Sequence, residues 1–466
     1  MPPVHRRFDL NGQTAFADLS GDHNPMHLDL QAARRLLLGG VAVHGIHLLL
    51  WALDSVVATG TTWQALDSVR AHFDRPALLG EDIALQWQTS DEQVTVTAHN
   101  AVGRVMRLKF NARSVPDRPV WDGLRIQPPL VCQEQRMAGL ATMSGHLDLV
   151  LPESFATLFP HLHAAFSPLQ AAILLASTRL VGMICPGRHS LFSGLALQFA
   201  PTAATAGALE YAVSRADERV RMVDITLSGS GCCGTLETFL RPEPVAQLSF
   251  AALRDAVPRG SFTGQRALVI GGARGLGELT AKLLAIGGAD VSITYLNGAD
   301  DAAAIVTDGS AAGCSLQTLH FDVAAPPGDV AGPDGGFTHA YYFATPRIVT
   351  GPPVGFAAEL LARYLEYYVT GLARSVAWLQ SRSVADLRVW YPSSVFVEQA
   401  PPGFAEYATA KACGEALCAQ MTTRMSPMQV IADRLPRLAT DQTQSLTTQT
   451  LEDSVAILRS ILLRLA

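Results

Sequence analysis

Near the start of the chain, Ser20-Gly21-Asp22-His23-Asn24-Pro25-Met26-His27 has the residue types and spacing that acid/base chemistry on water requires. A carboxylate and an imidazole five residues apart, held by a glycine and an Asn-Pro turn, make a compact pair beside an apolar run entered at His44-Gly45. Adding water across an enoyl thioester, or removing it, needs one group to orient and deprotonate water and another to exchange a proton with the α-carbon. Asp22 and His27 can share those tasks. The developing enolate needs N–H donors at the thioester oxygen, which a helix N-terminus supplies without a side chain. Gly45, opening the run Ile46 to Val57, is placed to do so. A plainer reading makes Asp22 and Asn24 turn and capping residues and His27 a surface histidine; an isolated D-x-N-P pair favours that reading.

The longer span changes the balance. Phe16 to Asp29, then Ala32, then Ala42-Val43-His44-Gly45 resembles the MaoC-like hot-dog hydratases, the (R)-specific enoyl-CoA hydratases and their dehydratase relatives, over roughly the first 115 residues. The resemblance implies a long helix wrapped by an antiparallel sheet, Asp22 and His27 as the catalytic pair, and the Gly45 amide at the thioester carbonyl. His44 and His47 lie on an apolar helix, where a histidine is more often a satisfied core residue than a catalyst.

A second constellation lies far downstream. Ala267-Leu268-Val269-Ile270 reads as a short buried strand, followed by Gly271-Gly272-Ala273-Arg274-Gly275-Leu276-Gly277 and then a helix. Strand, glycine turn and helix in this order provide a pyrophosphate site at a helix N-terminus. Asp322-Val323 ends a later strand, Ser394 precedes Tyr407 by 13 residues, and Tyr407 to Lys411 gives Y-x-x-x-K. Arg434-Leu435-Pro436-Arg437-Leu438 follows at the distance of a strand-to-loop exit. Together these resemble the short-chain dehydrogenase/reductases, especially the β-ketoacyl thioester reductases, over about Gly264 to Asp441.

Tyr407 and Lys411 are one helical turn apart and face the same cleft. A nearby ammonium is expected to lower the phenol's pKa, so that Tyr407 donates a proton to a carbonyl oxygen as hydride arrives from a nicotinamide, with Ser394 holding that oxygen. The resemblance implies cofactor contacts from Gly271, Ala273, Arg274, Gly275, Leu276, Gly277, Tyr295, Asp322, Val323, Ala344, Tyr407, Lys411 and Pro436. Two features depart from the family pattern. Its N-N-A-G segment reads Tyr342-Phe343-Ala344-Thr345, and the helix asparagine that extends the proton relay aligns with Tyr368, which leaves proton resupply open. NAD-preferring sites place an acidic residue after the second strand. Asp290 to Tyr295 ends instead in Leu296-Asn297-Gly298, with Arg274 available to a 2′-phosphate, so NADPH is expected over NADH.

The elements that must position these residues exceed one core. A chain of 466 residues suggests three domains. With 48% hydrophobic residues, 16% charged and a net charge of −6 without a dense basic run, neither nucleic acid nor an anionic membrane is an expected partner. The seven cysteines form no C-x-x-C pair or zinc pattern, and no metal is expected. The N-terminus has no apolar signal region, and the apolar stretch Leu36 to Gly60 is interrupted by His44, His47 and Asp54, so a cytoplasmic location is expected.

Alternating segments at Val69–Phe73, Asp82–Thr89, Gln93–Asn100 and Arg104–Ala112 read as strands, and the proline-rich Ser114–Pro129 as a linker. Beyond it the pattern repeats at an offset of about 126 residues: Ala171–Met183 tracks Leu48–Gly60, and Ser190–Phe199 tracks Trp63–Phe73. Ser144-Gly145-His146-Leu147-Asp148 is aligned with Ser20–Asn24 and lacks the N-P-x-H continuation, so one active site is expected, with His146, His161, His163 and His189 structural or lining residues.

The expected fold is multidomain α+β and α/β: a first hot-dog over residues 1–115, a degenerate second over 116–255, and a doubly wound Rossmann domain over 262–466. Arg254 to Gly264 reads as the polar lead into the last. The resemblances jointly imply a fused NADPH-dependent 3-oxoacyl reductase and 3-hydroxyacyl dehydratase of fatty-acid or polyketide type, assembled as a homo-oligomer. Its substrates would be carried on CoA or an acyl carrier protein. Two alternatives stay open: a catabolic hydratase with an NAD-linked dehydrogenase, and a hydratase whose reductase-like domain only binds nucleotide.

Overall fold

The structure, a computed structural model, describes residues 3–36, 39–60, 63–90, 93–115, 121–201, 207–325, 333–352, 355–443, 445 and 451–466. Pro116 and Pro119 of the expected linker, and residues 326–332 of the loop between Ala324 and Gly336, lie outside that set. Two compact units divide the chain, the first Met1–Pro244 and the second beginning at Val245.

The first unit is built on one ten-stranded sheet. One half comprises β1 (Val4–Arg7), β2 (Ala65–Phe73), β3 (Asp82–Thr89), β4 (Val94–Asn100) and β5 (Gly103–Arg113). The other comprises β6 (Ser144–Asp148), β7 (Ser190–Phe199), β8 (Ala208–Asp217), β9 (Met222–Gly229) and β10 (Cys232–Leu240). The spatial order β1-β3-β4-β5-β2-β7-β10-β9-β8-β6 is the same pattern read outward in both directions from an antiparallel seam in which Ala71 opposes Leu195. Period-two burial explains the strands: Leu108 and Phe110 point inward while Arg107 and Lys109 are exposed.

Each half packs a helix on the sheet. Gly45–Val57 has every residue from Ile46 to Leu53 buried, and Pro168–Arg179 continues into a π-helical turn, Leu180–Ile184. Hydrophobic residues all round a helix mark one covered on all sides, and both join a single core with the inner sheet face.

The symmetry corrects one alignment. Ser144–Asp148 is the edge strand β6 and pairs with β8, so its counterpart is β1, paired with β3, and not the turn Ser20–Asn24. The place of the Asp22 segment is taken in the second half by two short helices, Phe155–Leu158 and Pro160–Ala165, where His161 and His163 are exposed.

The second unit holds six parallel strands: β11 (Arg266–Ile270), β12 (Asp290–Tyr295), β13 (Leu316–His320), β14 (Phe337–Tyr342), β15 (Ser383–Ser394) and β16 (Gln429–Leu435). Their order, β13-β12-β11-β14-β15-β16, reverses direction between β11 and β14. Helices cover both faces and give two separate apolar clusters. In such sheets ligands bind beyond the carboxyl ends of the strands at the point of reversal. The stretch 245–264, expected partly at the end of the second repeat and partly as a polar lead, packs here instead: Phe250, Leu253, Val257 and Phe262 are buried in the second unit's core.

Candidate active sites

Helix Leu10–Ser20 ends at Gly21, whose φ of 75° is a left-handed conformation that glycine adopts without steric cost. The chain turns there and delivers Asp22 into the interior, where it is 1% exposed. Asn24 caps the next short helix, Pro25–Leu28, through Met26 N, and carries His27 on that helix. Asp22, His27 and His44 bring one carboxylate oxygen and two ring nitrogens within 4.8 Å of one another.

A hydrogen-bonded network fixes the protonation of these groups. His47 Nδ1 lies 2.7 Å from Gln13 Oε1, which makes the ring nitrogen the donor. The Gln13 amide nitrogen then donates to Ala42 O and to His44 Nδ1, each at 3.2 Å. His44 Nε2 therefore carries the proton and donates to the Asp22 carbonyl at 3.0 Å. Both nitrogens of His44 are thus used, and it serves to hold the Asp22 backbone. His27 donates from Nδ1 to Ala42 O at 2.7 Å and stacks on His44 with ring centroids 3.7 Å apart. Its Nε2 is left as a base.

The second half of the sheet supplies the other wall. Thr178 Oγ1 donates to Asp22 Oδ2 at 2.7 Å, and the Asn24 side-chain amide donates to Gly182 O at 2.8 Å. A β-carbon on Gly182 would sit 2.1 Å from Asp22 Oδ1. Only glycine lets the π-helical turn approach the carboxylate so closely, and such turns free a carbonyl for outside partners.

Burial shifts the two reactive groups in opposite directions. Desolvation raises the Asp22 pKa to about 7 despite the bonds from Thr178 and Asn24 N, which favour the ionised form. Desolvation lowers His27 to about 4, with a smaller opposing effect from Ala42 O and a further lowering by the Arg241 charge. A protonated Asp22 beside a neutral His27 is an acid next to a base. Gly45 stands at the first position of its helix, as expected for an N–H donor. Its lack of a side chain has a packing reason as well, since the Phe73 ring lies about 3 Å from where a β-carbon would be.

Thr178 and Gly182 were not identified in the sequence, because they come from the distant repeat and no local motif marks them. Gln13 had a signal: it is a fully buried amide on the same helix face as Phe16, Ala17 and Ser20.

In the second unit the expected residues gather at the carboxyl ends of the strands. Gly271 follows β11, Tyr295 ends β12, Asp322 and Val323 follow β13, Ala344 follows β14, Ser394 ends β15 and Pro436 follows β16. A β-carbon on Gly277 would lie 2.3 Å from Gly271 O, so the turn closes only with glycine there. Gly275 then opens the helix Gly275–Ile286, next to Arg274 and Leu276, with no Arg274 side-chain cap on its free N–H groups. Among the described residues, a β-carbon on Gly275 would meet nothing nearer than Thr440 at 4.0 Å, so side chains do not crowd the helix start. β12 ends at Tyr295, and Leu296, Asn297 and Gly298 follow without a carboxylate, as expected; Asp300 and Asp301 come later, in the first turn of helix Ala299–Ala311.

Ser394 hydrogen-bonds Tyr407, and Tyr407 and Lys411 are both buried on helix Ala405–Arg424. The expected lowering of the phenol is not what the structure shows: burial pushes Tyr407 up to about 12. Lys411 directs its ammonium to Pro392 O at 2.7 Å and lies 4.1 Å from the centre of the Tyr368 ring and 4.7 Å from that of Tyr391. Desolvation brings Lys411 down to about 7. Tyr368, in the π-helical turn Glu366–Gly371, turns its hydroxyl to Thr345 at 2.5 Å and its ring face to Lys411.

Residues 10–106 match the MaoC like domain. That span contains Asp22, His27 and Gly45 and runs from the first helix into β5. No curated protein matches the chain. Solved structures similar to it include short-chain dehydrogenase/reductases and a ketoreductase. The enzyme from Serratia marcescens BCRC 10948 is 23% identical over 39% of this chain and 78% of its own, with a TM-score of 0.36. A short chain dehydrogenase from Burkholderia cenocepacia J2315, in complex with NADP, is 24% identical over 39% and 78%, with a TM-score of 0.34. The angucycline C-6 ketoreductase LanV with bound NADP is 21% identical over 38% and 74%, with a TM-score of 0.34. Among the described residues no helix is long and apolar enough to cross a membrane.

Proposed function

We propose that this chain is a bifunctional enzyme on acyl thioesters, reducing 3-oxoacyl to (R)-3-hydroxyacyl with NADPH and dehydrating that product to the trans-2-enoyl thioester. The observation that carries the reading is the buried pair Asp22 and His27, whose environments push their pKa values past one another. In dehydration His27 Nε2 removes the α-proton, Asp22 gives its proton to the departing hydroxyl, and first-turn N–H groups of helix Gly45–Val57 receive the charge growing on the thioester oxygen. Hydration is the reverse.

NADPH, when bound, supplies the hydride. Around it the helix start at Gly275 would hold the pyrophosphate and Arg274 the 2′-phosphate. Ser394 and Tyr407 would hold the substrate oxygen, and Tyr407 would protonate it. A second reading has one specific observation in its favour. Tyr368 covers Lys411 with a ring where a polar relay would need a hydrogen-bonding group, which suits a unit that binds nucleotide with slow or no turnover. The substrate carrier is CoA or an acyl carrier protein, and the location proposed is cytoplasmic.

The test is incubation of purified protein with 3-oxoacyl and 3-hydroxyacyl thioesters on both carriers, with NADH or NADPH, and mass spectrometry of the products. Conversion of 3-oxoacyl to enoyl thioester with NADPH is expected. Interconversion of hydroxyacyl and enoyl thioester alone, with no nicotinamide oxidised, would leave the second reading.

A further inference from the structure

Beside the acid/base pair, a cleft of about 410 Å³ opens between the short helix carrying His27 and the second half of the sheet. Its lining includes Met26, Arg35, Arg188, His189 and Arg241, with Glu134 and Glu243 also facing it. Arg241 leaves the end of β10 and is 2% exposed. Its Nη2 donates to Arg188 O at 2.7 Å, while Nε and Nη1, both buried, have no partner among the described residues. Glu134 is directed to His189 Nε2 at 3.4 Å, and burial together with the neighbouring Arg188 charge lowers the Arg241 pKa.

A buried guanidinium with two idle donors is costly unless something accepts from it, and its planar fork matches the paired oxygens of phosphate or carboxylate. We infer that this cleft binds an oxyanion borne by the thioester substrate, with Arg241 as its buried anchor beside the catalytic pair. Two parts of a substrate carry such a group: the phosphates of a CoA or phosphopantetheine arm, and a carboxylate at the far end of the acyl chain. The inference rests on the hydratase reading for its substrate class.

The experiment compares hydration of four enoyl thioesters: neutral or carboxylate-ended acyl groups, each on CoA or on N-acetylcysteamine, which has no phosphate. Wild type, Arg241→Met and Arg241→Lys are assayed as the full chain. Loss of a charged contact should raise KM by about 10- to 100-fold for the class bearing the anchored anion relative to the class without it, and Arg241→Lys should recover part of it. A rise confined to CoA thioesters identifies phosphate, and one confined to carboxylate-ended acyl groups identifies the acyl end. An equal change across all four, or none, overturns the inference. If Arg241→Met does not fold, wild type is titrated by calorimetry with adenosine 3′,5′-bisphosphate and with glutarate at increasing salt. Binding of one supports the site, and binding of neither overturns it. That measurement also stands if no thioester turns over, an outcome that removes the hydratase reading instead.

Discussion

Replacing Asp22 by asparagine should stabilise the first unit while removing its activity, and the gain should depend on pH in a way that identifies its cause. The Asp22 carboxyl is 1% exposed and its pKa rises from 3.8 to about 7 on folding. A raised carboxyl pKa means the fold prefers the protonated form. Its contribution is full below about pH 4 and is lost as pH rises to about 7. At about 1.4 kcal/mol per pH unit the ionised group costs the folded state up to roughly 4 kcal/mol above pH 7. Asparagine carries no charge, so the cost disappears, less about 1 kcal/mol because its amide must take the place of an oxygen that accepts from Thr178 or from Asn24 N. The expected gain is about 2 to 3 kcal/mol at pH 8, and a loss of about 1 kcal/mol at pH 4. Urea unfolding read by pulsed hydrogen exchange suits the chain, because peptides from Gly45–Val57 report the first unit and peptides from β11 serve as an internal control. The same effect at both pH values, or an equal effect in the β11 peptides, would refute the electrostatic account.

Three further outcomes follow from the sites. His27→Ala should lower dehydration about 10²- to 10⁴-fold and leave any NADPH oxidation unchanged, and wild-type dehydration should fall below about pH 4 and above about pH 7, as His27 gains a proton and Asp22 loses one; a flat profile between pH 5 and 9 would count against the pair. Tyr407→Phe should abolish reduction of 3-oxoacyl thioesters, and the wild-type reduction rate should decline above about pH 7 as Lys411 loses its charge, which stopped-flow absorbance of the nicotinamide can follow. Arg274→Ala should narrow a preference for NADPH over NADH by about ten- to a hundredfold in affinity, measured by fluorescence titration; equal wild-type affinities would contradict the role given to Arg274.

What was legible in the chain was whatever local periodicity or a short motif encodes. The strand Asp82–Thr89 was expected with its observed bounds because alternation ends at turn residues on both sides, and Ser394, Tyr407 and Lys411 meet because β15 ends beside the helix that carries the other two. Contacts made between distant segments were not legible. Thr178 and Gly182 touch Asp22 across more than 150 residues of chain. Ser144–Asp148 looked like a lost motif because Ser-Gly begins both stretches, whereas its pairing with β8 shows an edge strand. The Tyr407 phenol was misjudged for a different reason. Spacing places Lys411 near it, but only the packed structure shows that the ammonium is spent on Pro392 O and two aromatic rings.

The second half of the sheet explains how one acid/base pair can work without a charge at rest. A buried ion pair is hard to stabilise, whereas a protonated carboxyl beside a neutral imidazole needs only hydrogen bonds. Thr178 and Gly182 close the pocket over Asp22, and desolvation is the largest influence on both Asp22 and His27. One physical cause therefore sets both groups in the state that dehydration requires. After one turnover the protons have exchanged places, leaving Asp22 ionised and His27 charged, with their ligand atoms within 4.8 Å. Their mutual attraction offsets part of the desolvation cost, and this charged state is the one from which hydration starts. Transfer of a proton back through the released water would restore the neutral pair. Burial, working against the Thr178 bond, thus leaves the pair in the state that the proposed dehydration would start from, the step that would follow the proposed ketone reduction.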